Sequence, residues 1–79
     1  MDIALIQEAI RKGDYYWRQH AIERSIERDI SETEVAEAIL NGAIIEQYPD
    51  DKYGPSCLIY GRTKRERPIH AQCSLPPEI

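Results

Sequence analysis

His20, Arg24 and Arg28 recur at steps of four, with Glu27 alongside. In a helix that spacing stacks the three on roughly one face. An imidazole beside two guanidiniums suits anion binding, and proton transfer next to a phosphate. His70 is the second of the two histidines. It falls in an alternating stretch, with Gln72 and Ser74 on its own face and Ile69, Ala71 and Cys73 on the other. Two imidazoles flanking a phosphodiester can act as general base and general acid, with no metal. The same residues also admit a blander pattern. Glu23 and Glu27 can pair with Arg24 and Arg28 as an ordinary solvated helix face, and His70 can be a plain outward strand residue.

Arg62, Lys64, Arg65 and Arg67 cluster further on, as a phosphate clamp or as a solvated turn. A zinc site from His20, His70, Cys57 and Cys73 is disfavoured. The cysteines lack CxxC spacing, and His70 and Cys73 take opposite faces. No metal or cofactor is expected. Both cysteines read as small buried hydrophobes.

The elements that must position these residues follow from period and punctuation. Residues 1–12 read as a helix, with Ile3, Ile6 and Ile10 on one face, Asp2 as N-cap and Gly13 at the C′ position. Residues 19–28 read as the helix that carries the motif. Its narrow apolar stripe is Ala21, Ile22, Ser25 and Ile26. Residues 31–41 form a third helix that opens on a capping box, Ser31 with Glu34. Ile30 and Val35 are placed to staple over that cap. After Gly42 the period turns strand-like, over 43–48, 56–62 and 68–74. Helices followed by an antiparallel meander of about three strands make an α+β fold in one domain spanning 1–79. The tail 75–79 contains Pro-Pro, and Ile79 would start another strand. A third strand left at the sheet edge is a template for pairing with another chain.

Composition limits the function classes. The chain has 79 residues, too few for a second domain. Such a chain buries only ~60–65% of its unfolded surface, so its core is small. A net charge of -4 argues against a passive nucleic-acid coat. The acids are unevenly spread. Residues 1–43 hold nine acids and five bases, and residues 44–79 hold five of each. No apolar run is long enough for a membrane span, and the start lacks the pattern of a signal peptide. Two cysteines are too few for a disulfide scaffold, which leads us to expect a reduced, cytoplasmic protein.

The stretches HAIERSIERDISETEVAEAILNG, IIEQYPDDKYGPSCLIYGRT and RPIHAQCS resemble the domain-of-unknown-function 4258 family. Its members run HA-x-x-R-x-x-x-R-x-I-S, then a helix and Gly, then EYPDD, P-S-x-L-x-x-G and R-P-x-H. The lead-in MDIALIQEAIRKGDYY also looks like a helix that many members carry. The resemblance implies a compact α+β fold, remotely grouped with toxin-type nucleases of the barnase, colicin and RelE kind. His20, Arg24, Arg28 and His70 match the motif. Members continue after the CSLPP-like turn into a last strand, so the resemblance implies that this chain is one strand short. The expected activity is that of a metal-independent endoribonuclease of toxin type. His20 and His70 would be its acid–base pair, and Arg24, Arg28 and Arg62 would hold phosphate. Tyr53 and Tyr60 would stack on bases. The expected partners are RNA, an antitoxin or other protein, and a second copy through the open sheet edge, with no membrane. The alternative is a non-catalytic interaction module that completes its sheet with a partner.

Overall fold

The computed structural model describes residues 1–52 and 54–79. Tyr53, expected to stack on a base, lies outside the described residues. Three helices come first: α1 (Ile3–Lys12), α2 (Gln19–Glu27) and α3 (Glu32–Leu40). Three strands follow: β1 (Ala43–Tyr48), β2 (Ser56–Arg62) and β3 (Pro68–Ser74). They form one antiparallel sheet in the order β1-β2-β3. The fold is therefore α+β, as the change of period requires.

The caps fall where the sequence puts them. Asp2 accepts the Ala4 N–H at 2.9 Å, and Gly13 closes α1 at φ 71, a left-handed conformation that glycine adopts without strain. Ser31 and Glu34 form the reciprocal capping box of α3, each bond 3.1 Å long. Gln7 donates to the carbonyls of Ile39 and Leu40 and so ties α1 to the end of α3.

Alternation decides which sheet face is buried. Cys57, Ile59, Ile69, Ala71 and Cys73 are buried, whereas Leu58, Tyr60, His70 and Gln72 are half-buried or exposed. Ile6 and Ile10 of α1 and Val35 and Ile39 of α3 complete the core. Each fully buried isoleucine side chain there contributes roughly 1.5–3 kcal/mol. The α3 backbone lies so close to β2 that a Cβ at Gly61 would sit 1.8 Å from the Ala38 carbonyl oxygen. Cys57 and Cys73 face each other across β2 and β3 as free, buried thiols. Burial, and then the neighbouring Cys57, push the Cys73 thiol up to about 12.

The motif helix is loosely packed. Of its narrow stripe of Ala21, Ile22, Ser25 and Ile26, Ala21 packs against the core as a partly buried residue, and α2 contains no fully buried residue. Ile26 is 75% exposed. Steps of four split the stripe. Ala21 and Ser25 turn inward with His20, Arg24 and Arg28, while Ile22 and Ile26 are left exposed.

The helix is also held at its ends. Past its C-terminus, the Arg67 guanidinium donates to the carbonyls of Arg28 at 2.7 Å and Asp29 at 2.6 Å, and reaches Glu34 at 3.4 Å. At its N-terminus, Arg18 donates to Ser74 Oγ at 2.9 Å and forms an ion pair with Glu78. The tail is tied in too. Glu78 makes single bridges to Ser74, antiparallel, and to Tyr16, parallel.

Candidate functional site

Between α2 and the edge of β3 lies a groove of about 560 Å³. Strapping α2 at both ends, with Ala21 alone of its residues packed against the core, leaves this space open. One wall is the inward face of α2, with His20, Arg24 and Arg28. The other wall is β3, with Ile69, His70, Ala71 and Gln72. Trp17, Val35 and Ile79 add apolar surface. The fold thus brings His20, Arg24, Arg28 and His70 to one concavity.

The electrostatics of this groove run against the whole chain. The sequence holds 14 acidic residues, yet no Asp or Glu side chain lines the groove among the described residues. Both histidines and three arginines do. Arg18 is taken by Glu78 and Ser74. Among the described residues, no side chain bonds the imidazoles of His20 and His70 or the guanidiniums of Arg24 and Arg28. The pairing of Glu23 and Glu27 with these arginines does not form, since Glu23 accepts from Gln19 at 3.3 Å instead. The result is a half-apolar groove whose exposed cations meet no Asp or Glu side chain among the described residues.

The other candidate residues sit elsewhere. Tyr60 does not line the groove, but it packs on His70, ring centroids 5.0 Å apart and tilted by 54°. It fixes the ring from the neighbouring strand. Arg62 stands at the end of β2, away from the groove, 3.7 Å from Glu66. Arg67, from the basic turn, spends its guanidinium on α2 and Glu34 rather than on an outside anion. No group of three or more His, Cys, Asp or Glu that could hold a metal ion is found among the described residues.

Trp17, Arg18 and the α2 clamp of Arg67 were not apparent as site features. Arg18 and Arg67 act through partners 56 and 39 residues away, so no local spacing marks them. Trp17 follows Tyr15 and Tyr16 directly, and no spacing in the sequence ties it to the histidines and arginines. Its indole N–H is buried with no acceptor, the single such side-chain atom among the described residues.

A small α+β domain whose motif helix is strapped across an open strand edge is the class that fold and groove define. The chain belongs to the family described as Domain of unknown function (DUF4258), whose model matches residues 17–78. The match takes in α2, α3, the sheet and most of the tail, and leaves α1 outside. No curated protein and no solved structure matches the chain. No helix is long and apolar enough to cross a membrane among the described residues.

Proposed function

We propose that the α2–β3 groove binds single-stranded RNA and cleaves it by metal-independent transphosphorylation. One observation carries this reading: both histidines and two unpaired arginines share a groove that holds no carboxylate side chain. Arg24 and Arg28, one helical turn apart, engage the scissile phosphate and stabilise the charge that builds on its oxygens. One imidazole, neutral, takes the proton of the ribose 2′-hydroxyl. The 2′-oxygen then attacks phosphorus, and the bond from phosphorus to the 5′-oxygen breaks. The other imidazole, protonated, gives its proton to that leaving oxygen. The products are a 2′,3′-cyclic phosphate and a free 5′-hydroxyl.

The experiment is cleavage of unstructured RNA in the presence of a chelator, with product ends identified. Wild type should release 2′,3′-cyclic phosphate ends. Replacing either histidine by alanine should slow the reaction about 100-fold or more, the usual worth of a positioned acid or base. Equal inertness of wild type and His20→Ala on every RNA tried would sink the reading.

A further inference from the structure

Gln72 lines the groove two residues beyond His70 on the same face of β3, about 6.8 Å along the strand. Its carboxamide is held by two residues from outside β3. Nε2 donates to Asp51 Oδ2 at 3.2 Å and to Ser56 Oγ at 3.1 Å. The Ser56 hydroxyl donates in turn to the same carboxylate oxygen at 2.6 Å, and Ser56 is only 2% exposed.

These three bonds settle which arm of the carboxamide is which. A carboxylate only accepts, so the arm that meets Asp51 is the amino group. The Ser56 hydroxyl spends its hydrogen on Asp51, so toward Gln72 it too accepts. Both hydrogens of the Gln72 amino group are thereby used. With its nitrogen held, the carboxamide has its oxygen fixed as well, turned away from Asp51 and Ser56. No hydrogen bond reaches that oxygen among the described residues. The groove therefore carries two kinds of polar group. The guanidiniums of Arg24 and Arg28 only donate, and they suit phosphate. The Gln72 oxygen only accepts, so it repels phosphate and suits an N–H group. The carboxylate behind it polarises the amide and strengthens that oxygen as an acceptor.

We infer that Gln72 reads the base of the nucleotide whose phosphate lies on Arg24 and Arg28, and that the base it selects is guanine. Asp51 and Ser56 are positioning residues that act through it. The inference rests on the groove as an RNA site and adds which base enters it. Among the four bases, the Watson–Crick edge of guanine alone sets two donors side by side, N1–H and the N2 amino group. Adenine and cytosine place a bare ring nitrogen next to their single amino group. Uracil places a carbonyl on each side of its one N–H. An acceptor that cannot turn over attracts the first edge and repels part of each of the others. A polar group left unpaired by the wrong partner is what makes such a site selective.

The probes are the four nucleoside 3′-monophosphates, with inosine 3′-monophosphate and inorganic phosphate as controls. Binding is followed by the side-chain amide resonance of Gln72 and the backbone amide of His70. Guanosine 3′-monophosphate should bind about tenfold more tightly than the uridine compound, the worth of one good hydrogen bond. Inosine, which lacks the N2 amino group, should fall between them. In the exposed variant Gln72→Met, guanosine should drop to the uridine level. Asp51→Asn offers a donor where the carboxylate only accepted, so the carboxamide can turn over. It should also cost guanosine its advantage. Affinity for inorganic phosphate should stay at the wild-type value in both variants, which a general disturbance of the sheet would not allow. Equal binding of the four nucleotides to wild type, or a guanosine preference that survives Gln72→Met, overturns this inference alone. Failure of every nucleotide and of phosphate to bind overturns it together with the RNA groove. No cleavage enters these measurements, so an inert protein that still selects guanosine would count against the reaction and not against Gln72.

Discussion

Replacing Arg67 by alanine removes the strap at one end of α2. The helix contains no fully buried residue and packs on the core only through Ala21, so the bonds at its ends do much of the holding. The guanidinium makes two short bonds to the carbonyls of Arg28 and Asp29 and a longer one to Glu34. Hydrogen bonds from a charged donor contribute about 1.5–3 kcal/mol each when well shielded. Arg67 is 39% exposed, and solvent screening puts the sum at the low end, about 2 kcal/mol. That is roughly a 30-fold shift in a local equilibrium. The change should appear first as opening of α2 alone. Hydrogen exchange read residue by residue should show α2 amides losing about 30-fold in protection, with β2 and α3 losing less. Arg67→Lys should not restore it, because one ammonium cannot fork to two carbonyls. If α2 amides keep wild-type protection in Arg67→Ala, the strapped-helix account is wrong.

Three further outcomes follow from the same geometry. Gly61→Ala drives a methyl group to 1.8 Å from the Ala38 carbonyl oxygen, and α3 must move. The expected loss is about 3 kcal/mol by urea unfolding. Burial raises the Cys73 thiol from 9.0 to about 12, so the folded state favours the protonated form. The stability this gives is whole below the ordinary thiol value of 9.0 and is lost as pH rises toward about 12, and native protein should resist Ellman's reagent at neutral pH. The Glu34 carboxylate accepts the Ser31 N–H and faces Arg67, which together lower it from its ordinary value of 4.5. Its contribution is present above 4.5 and fades as pH falls through the folded value, so Glu34→Gln should flatten the acid side of the stability profile.

Much of the fold was legible because local rules decided it. The capping box at Ser31 and Glu34 acts within four residues, and the alternation in 68–74 sorts itself between core and surface. Strand limits at 43–48, 56–62 and 68–74 are those that Gly, Pro and charge punctuate. The stripe of α2 was legible as a stripe only, because a 3.6-residue period shows that a helix has an apolar side without showing what it meets. Ile22 and Ile26 are apolar and exposed, since no sheet surface lies on their side. For the candidate site, His20, Arg24 and Arg28 were placed by spacing alone, and His70 by face and order. What holds them open was not legible. The bonds from Arg67 to α2 and from Arg18 to Ser74 span 38, 39 and 56 residues and leave no periodic trace. Arg62 looked as basic as Arg24, yet the end of β2 directs it away from the groove.

The most direct test of a phosphate-handling groove is to incubate wild type, His20→Ala, His70→Ala and the Arg24→Ala, Arg28→Ala double variant with unstructured RNA under chelator. The four side chains are exposed, so the variants should keep wild-type circular dichroism. The account predicts 2′,3′-cyclic phosphate ends from wild type, a loss of about 100-fold or more in each histidine variant, and weakened RNA binding in the arginine variant. Intact RNA in every lane, or cleavage by the histidine variants at the wild-type rate, would contradict it.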